Sequence, residues 1–462
     1  MTVYTLFLYI GLVASLITAL RYFIQDYKNV LLSFLQNFVG TLFIFSGFVK
    51  AVDPMGTSIK MHEYFEAMHL EFFNAISTPL SVLMLTAELA LGVALLVGFK
   101  PKITTSLLLL LNVFFLLLTG YTFLSGYEPT TAFFAVSILA FAIVCAGAII
   151  EQGTQRFWLL SIGLGLILVS LALMKFSNLL LTAHFDITKM KVTDCGCFGD
   201  FMKLKPWQTF YKDVILTCMA LILTLQYKQL KPAFSLMMRN AISYTVLVVS
   251  FFFCLYNFLW SEPVIDFRPY AIGSDINKMR VAERSEKRDF VFQYKNRKTG
   301  KIQELKMTEL SKITDDDTCL GRNDIILDEG IPARISNLFI HNQDNEDITD
   351  SLLHDPTYTL MVVSPKVSQA CECCFKEHLN PLAAACDKAG IKFYTLTSEN
   401  AEEFRHKNQT AYPFYMADET PIKTMMRSNP GLMLLKNGVV INKWHRKHLP
   451  TWEQLNAMYF KK

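Results

Sequence analysis

Eight long apolar runs in the first 260 residues restrict what this chain can fold into. Each approaches the roughly 20 apolar residues that an α-helix needs to cross a bilayer. The runs lie near 4–20, 34–49, 79–98, 103–124, 131–150, 157–180, 209–227 and 241–260. A positive mean hydropathy and 52% hydrophobic residues also depart from a soluble globular composition. We predict a polytopic α-helical membrane bundle of about eight helices, with six as the fallback because so little separates the fourth and fifth runs.

Charge divides the chain into a lipid-facing part and a water-facing part. Residues 1–260 carry 16 Lys and Arg against 12 Asp and Glu, whereas residues 261–462 carry 28 of each. The net charge of +4 forms no basic stripe, which excludes a nucleic-acid partner. We predict a transmembrane domain over 1–260 with the lipid bilayer as its partner, a linker and β-hairpin extension over 261–350, and a soluble α/β domain over 351–462.

The flanks of the first run predict its orientation. It opens "MTVYTLFLYI" without a basic region, and Arg21 and Lys28 follow it, so we expect a retained anchor with its N-terminus outside. An even number of spans then places the loop after the sixth run and the C-terminal domain on the extracytoplasmic side of a bacterial cytoplasmic membrane. Disulfides persist in such an oxidising compartment.

The loop after the sixth run contains "CGCFGD", in which a single glycine separates Cys195 from Cys197. Such a pair closes a small, reducible disulfide or exchanges with a partner thiol, and both favour redox chemistry. A permanent loop staple is the alternative. A zinc site is the weakest interpretation because His184 is the nearest imidazole to these two thiolates, so we predict no metal.

Glu88 lies within the third run, where a carboxyl group costs several kcal/mol unless it is protonated, paired or in a wet cavity. It is a functional candidate, and a hydrogen bond to Asn112 or Thr119 is the alternative. Lys50 and Asp53 follow the second run, where we expect a local pair or snorkelling at the interface.

Strand and helix patterns alternate in the C-terminal part. "FVFQYKNRKTGKIQELKM" indicates a hairpin with Lys-Thr-Gly at its turn. From residue 351 the order is strand "YTLMVVS", a cysteine cluster, helix "FKEHLNPLAAACDKAG", strand "IKFYTLTS", helix "ENAEEFRHK", and the hairpin "SNPGLMLLKNGVVINKW".

Three stretches resemble the MauE branch of the DoxX-like membrane proteins and together cover residues 34–230. They are "CGCFGD" with the following "KPW" and Lys212-Asp213, "FVGTLFIFSGFVKAVDPMG", and the Glu88 stretch "LTAELALGVALLVG". The motif residues that support the resemblance are Gly196, Phe198, Gly199, Asp200, Trp207 and Asp213. A DoxX-like core is a four-helix bundle, so the first and last spans and two between residues 125 and 182 would be additions.

The resemblance implies membrane redox work. MauE proteins are associated with disulfide formation in a periplasmic dehydrogenase subunit, and DoxX proteins with quinone-linked thiosulfate oxidation. A membrane quinone is therefore the cofactor that the resemblance implies.

Residues 351–460 resemble a thioredoxin fold. Cys371 and Cys374 of "ACECCF" take the Cys-x-x-Cys position at a helix start, where the thiolate is favoured, and Pro430 takes the place of a cis-proline. The chain departs from the pattern in a longer loop before Cys371, a missing Trp and a third thiol, Cys373. A degenerate domain that binds a partner is the alternative to an active one.

Two functional hypotheses follow. The first is a thiol-disulfide relay with the activity of a thiol-disulfide/quinone oxidoreductase. In it, the outer domain exchanges electrons with the Cys195 and Cys197 loop, and the bundle exchanges them with a quinone. The second is a non-enzymatic envelope assembly or scaffold protein. The expected protein partners are extracytoplasmic clients or a separate thioredoxin-like protein.

Overall fold

The structure is a computed structural model of the chain that divides into two compact units, Met1–Phe267 and Arg268–Lys462. The sequence placed this boundary after Trp260. The structure describes residues 2–25, 29–124, 131–150, 153–180, 192, 196–285, 287–297, 300, 302–306, 309, 313, 316–328, 330–331 and 333–461. Cys195, Tyr127 and the Lys-Thr pair of the predicted hairpin turn lie outside the described residues.

The first unit is helical. Its α-helices are α1 (Val3–Gln25), α2 (Val30–Ala51), α3 (Pro54–Ala67), α4 (Ser77–Val97), α5 (Pro101–Leu124), α6 (Thr131–Ile149), α7 (Thr154–Leu180), α8 (Pro206–Leu225) and α9 (Leu236–Leu259). Among the described residues, seven helical segments are long and apolar enough to cross a membrane. They fall in α1, α2, α4, α5, α7, α8 and α9, and a shorter apolar helix, Val136–Ala148, occupies the place of the fifth predicted span.

Close backbone contacts position the helices around the candidate site. α2 packs against α1 and α4, α5 packs against α8, and α4 also packs against α9. Gly40 on α2 and Gly92 on α4 face each other, and a Cβ atom added at Gly92 would lie 2.9 Å from the Gly40 carbonyl oxygen. Small residues at such positions allow membrane helices to approach closely. The α2/α4 contact therefore depends on these glycines.

The second unit contains two sheets. β1 (Lys287–Asn296), β2 (Ile302–Lys306) and β3 (Asp317–Asp328) form an antiparallel sheet in the order β2-β1-β3. β4 (Tyr358–Val363), β5 (Lys392–Thr397), β6 (Phe414–Met416), β7 (Gly431–Lys436) and β8 (Val439–His445) form a mixed sheet in the order β6-β5-β4-β7-β8. β4, β5 and β6 are parallel, whereas β7 is antiparallel to β4 and to β8.

Short helices surround the five-stranded sheet. They are α10 (Ile276–Met279), α11 (Thr349–Leu353), α12 (Glu372–Cys374), α13 (Asn380–Lys388), α14 (Glu402–Asn408), α15 (Glu419–Met425) and α16 (Trp452–Leu455). A π-helical segment, Phe375–Leu379, joins α12 to α13 in one continuous helical run. Successive side chains of β4 point to opposite faces of the sheet. Leu360 therefore packs with Phe375 on one face, and Met361 packs with Tyr270 on the other.

The predicted order of elements after residue 351 is confirmed, as is the antiparallel pairing of the earlier hairpin. The sequence patterns did not reveal β6 and α15, which are only three and seven residues long. The segment expected to link the domains also contributes to the core, because Tyr270, Ile276 and Ile340 are buried with the sheet residues. A mixed α/β unit thus follows the membrane helices.

The glycine contact between α2 and α4 leads to a test of the helix packing. Gly92→Ala should destabilise the protein by about 1–3 kcal/mol, because the added methyl group meets backbone atoms that cannot move aside. Gly165→Ala is the matched control, since a Cβ atom there meets nothing within 4 Å. Thermal unfolding in detergent measures both variants. Equal melting temperatures for the two would contradict the close α2/α4 contact.

Candidate functional site

The Cys197 loop is shaped by two glycines. Gly196 and Gly199 adopt positive φ angles of 56° and 53°, which favour glycine, and the Gly199 N–H donates to the Gly196 carbonyl at 3.0 Å. The resulting turn directs Phe198 into the core, where its side chain is 1% exposed. Cys197 is half-buried beside it. The glycines of the motif therefore place one thiol at the inner surface of the loop.

Cys197 lines a cavity between the helices together with a buried ion pair. Lys50 on α2 and Glu88 on α4 pair with an Nζ–Oε1 distance of 2.5 Å, and their side chains are 5% and 2% exposed. The Ser46 hydroxyl group donates to the Cys197 carbonyl at 3.1 Å and lies 3.5 Å from the other Glu88 oxygen. Ser46 therefore connects the cysteine loop to the pair.

A second ion pair lies on α8, in the lining of the same cavity as the first pair. Lys212 and Asp213 at the start of α8 pair at 2.8 Å, and the Thr119 hydroxyl group of α5 donates to the other Asp213 oxygen at 3.0 Å. The Lys212 ammonium group also lies 5.6 Å from the centre of the Phe198 ring, and its positive charge acts on the Cys197 thiol. Cys197 is thus within reach of a cation that is itself neutralised by a carboxylate.

Burial raises the pKa of the Cys197 thiol above its ordinary value. The positive charges of Lys212 and Lys50 lower this pKa and Asp213 raises it, and the net direction is upward. The thiol is therefore protonated at neutral pH. Because the thiolate is the nucleophile, reaction at Cys197 requires a base or a shift in these neighbouring charges.

Several sequence expectations are corrected here. Lys50 does not snorkel or pair locally, because it is buried against Glu88. Asp53 accepts from the Gly56 N–H and caps the start of α3. The alternative hydrogen bond from Asn112 or Thr119 to Glu88 is also wrong. Asn112 donates to the Leu108 carbonyl of its own helix, and Thr119 donates to Asp213.

The cavity gathers some predicted site residues and leaves others outside it. Lys50, Glu88, Gly196, Cys197, Phe198 and Asp213 line it. Gly199 and Asp200 lie in the following turn, and Trp207 is exposed at the start of α8. The sequence analysis missed Ser46 and the roles of Lys212 and Thr119. Ser46 stands one helical turn before Lys50, so the repeat of polar residues on one face of an apolar helix was a usable signal.

The second cysteine site lies in the α/β unit. Cys371 and Cys374 form a disulfide at the start of the helical run, Cys374 is 8% exposed, and Cys371 is half-buried. The Asn429–Pro430 peptide bond is cis, which confirms the prediction for Pro430. The Asn429 side chain donates to the Lys366 carbonyl at 2.7 Å and accepts from the Ser364 hydroxyl group at 2.6 Å. The proline loop is therefore tied to the segment that leads to Cys371.

The buried Lys50–Glu88 pair predicts a strong coupling between two side chains. Lys50→Met should destabilise the protein by about 3 kcal/mol, because it leaves a buried carboxyl group without its partner, whereas adding Glu88→Leu should recover most of this loss. Unfolding in detergent gives the coupling energy. The half-buried Lys60–Glu63 pair of α3 is the control, with an expected coupling of less than about 1 kcal/mol. Additive effects of Lys50→Met and Glu88→Leu would contradict the pairing.

Comparison with known proteins identifies one similarity. The family model described as methylamine utilisation protein MauE matches residues 28–131. The matched segment contains α2 to α5, with Lys50 and Glu88, and ends before the Cys197 loop. No curated protein and no solved structure matches the chain. The chain is therefore similar to the MauE membrane family over four helices of its first unit, which suggests a membrane-associated accessory protein.

Proposed function

We propose that the chain is a membrane-bound thiol-disulfide relay with the activity of a thiol-disulfide/quinone oxidoreductase. The observation that carries the proposal is the position of Cys197, which lines one cavity with the Lys50–Glu88 and Lys212–Asp213 pairs. A structural loop staple needs no such surroundings. Two buried cations beside a thiol suit a group that must alternate between a protonated and a charged state.

The second unit supplies the partner disulfide. A parallel pair of strands, an antiparallel hairpin, a disulfide at a helix start and a cis-proline are together typical of an active thioredoxin-like domain. A thiolate of Cys195 or Cys197 attacks the Cys371 sulfur, the Cys371–Cys374 bond breaks, and a mixed disulfide forms. The second loop thiolate then attacks the loop sulfur of this mixed disulfide, a Cys195–Cys197 bond forms and Cys371 leaves as a thiolate. Two electrons and two protons thus pass to Cys371 and Cys374. The reverse sequence transfers them back.

The cavity residues fit a membrane quinone. Phe43, Phe114 and Phe115 provide apolar walls, and the ammonium groups of Lys50 and Lys212 provide hydrogen-bond donors for carbonyl oxygens. When bound, a quinone accepts two electrons and two protons, and a quinol supplies them. Lys212 stabilises the Cys197 thiolate, and Lys50 pairs with the Glu88 carboxyl group close to the loop. The Phe198 side chain closes the cavity beside the thiol.

The relay requires both cysteine sites on one side of the membrane. We place them on the extracytoplasmic side of a bacterial cytoplasmic membrane, because Arg21 and Lys28 follow the first span and the disulfide needs an oxidising compartment. This placement counts the shorter apolar helix Val136–Ala148 as an eighth span beside the seven longer ones that the structure describes. Extracytoplasmic client proteins, or a separate thioredoxin-like protein, are then the outer partners.

A trapping variant tests the exchange between the two cysteine sites. In Cys373→Ser/Cys374→Ser, Cys371 is the one thiol left in its cluster. Its thiolate attacks an oxidised Cys195–Cys197 pair and releases one loop thiolate, and the bond from Cys371 to the other loop cysteine should accumulate because nothing in the cluster resolves it. Peptide mapping of acid-quenched membranes measures this bond. Adding Cys195→Ser and Cys197→Ser should abolish it, whereas the control Cys218→Ser, which removes an exposed thiol on α8, should leave it unchanged.

Replacement of the four cysteines in the cell distinguishes the relay from a scaffold. If Cys195, Cys197, Cys371 and Cys374 can all be replaced by Ser without loss of function, the chain is a scaffold and the relay is wrong.

Labelling with a membrane-impermeant maleimide tests the orientation. In cells with a permeabilised outer barrier, the exposed Cys373 thiol should react at once, because the second unit faces outside. The control is Lys228→Cys, in an exposed turn after α8 that the proposed topology places in the cytoplasm, and it should react after lysis alone. The opposite pattern would contradict the proposed orientation.

A further inference from the structure

Cys373 is a third thiol that touches the Cys371–Cys374 disulfide. Its Sγ atom lies 3.0 Å from the Cys371 Sγ atom, and it is exposed. The sulfur atoms of Cys371, Cys373 and Cys374 all lie within 4.8 Å of one another. The cluster therefore holds one disulfide and one thiol in direct contact.

The start of the helical run explains why thiols two residues apart can meet. Residues i and i+2 of a regular helix do not face each other. Cys371, however, is the N-cap residue of α12, with φ −69° and ψ 100°, so its side chain folds back over the first turn. There its sulfur accepts from the Cys374 N–H at 3.3 Å and contacts Cys373 from the same position. One N-cap sulfur is thus presented to two partner cysteines.

We propose that Cys373 is a second resolving thiol for mixed disulfides formed on Cys371. The Cys373 thiolate attacks the Cys371 sulfur, the bond from Cys371 to the client sulfur breaks, and the client leaves as a thiolate that takes up a proton. A Cys371–Cys373 disulfide forms. The inference rests on the proposed role of Cys371 as the attacking thiol, and it needs no electron transfer to the membrane unit.

Burial distinguishes the two resolving thiols. Cys374 is 8% exposed, whereas Cys373 is exposed to solvent. A bulky client on Cys371 leaves Cys373 accessible from solvent, so Cys373 can act before Cys374 does. The Cys374 thiolate then attacks the Cys371 sulfur, expels the Cys373 thiolate, and restores the buried Cys371–Cys374 bond. Cys373 therefore speeds client release without changing the final disulfide.

Oxidised glutathione is a suitable probe for this step. Full-length protein in detergent, with Cys195→Ser and Cys197→Ser to remove exchange with the loop, is reduced, desalted and exposed to oxidised glutathione. All three cluster cysteines fall in one tryptic peptide, residues 367–376, which mass spectrometry can map after acid quenching. In Cys374→Ser this peptide should carry an internal Cys371–Cys373 disulfide. Cys373→Ser/Cys374→Ser should retain at least about tenfold more Cys371–glutathione adduct, because an adjacent thiol competes at a high effective concentration.

The variants separate failure of this inference from failure of the relay. Equal amounts of Cys371 adduct in Cys374→Ser and Cys373→Ser/Cys374→Ser would show that Cys373 does not resolve it. Absence of any adduct in the double variant would show that Cys371 is not an attacking thiol, which overturns both proposals. Cys373→Ser alone should show no persistent adduct, since Cys374 remains. Cys371→Ser identifies adducts that form directly on Cys373.

Discussion

Two buried lysine–carboxylate pairs hold the part of the membrane unit on which the candidate site depends. Lys50–Glu88 joins α2 to α4, and Lys212–Asp213 is tied to α5 through Thr119. Each charge would be costly alone among apolar helices. The Lys50–Glu88 pair therefore specifies that α2 meets α4, whereas Lys212 and Asp213 neutralise each other within α8 and the Thr119 hydrogen bond joins α8 to α5. Net stabilisation by such pairs is modest. Their contribution here is to fix the cavity beside Cys197.

The same pairs determine what the Cys197 thiol can do. Burial raises its pKa, so the resting thiol is protonated, while Lys212 and Lys50 lie close enough to lower that pKa. A change that weakens the Lys212–Asp213 pair frees positive charge for the thiolate. In the proposed relay, the ion pairs therefore couple the charge of the sulfur to the pairing of the two lysines with their carboxylate partners.

The sequence predicted much of the fold because its signals are local. Among the described residues, hydropathy located seven of the eight predicted spans, and the fifth run corresponds to the shorter helix Val136–Ala148. Alternation located β4, β5 and the final hairpin. The Cys371–Cys374 pairing and the cis bond before Pro430 followed from a resemblance over short motifs.

The site was harder to predict because its contacts join distant parts of the chain. Glu88 looked like a partner for Asn112 or Thr119, both on the next helix. Its partner is Lys50, 38 residues earlier, because the Gly40/Gly92 contact brings α2 against α4. No periodicity within one helix reports which neighbour it packs against. The sequence therefore identified the charged residues and not their pairing.

The two cysteine sites differ in a way that orders the proposed exchange. At the Cys371 site the buried sulfur is Cys374, so an incoming thiol reaches the disulfide at Cys371. At the loop, Cys197 is surrounded by Lys212, Phe198 and the ion pairs, and its thiol is protonated at rest. A protonated thiol is a poor nucleophile. The initial attack therefore falls to whichever loop thiol first becomes a thiolate. For Cys197, formation of the thiolate depends on the charges of the neighbouring ion pairs and not on the pH of the surrounding water alone.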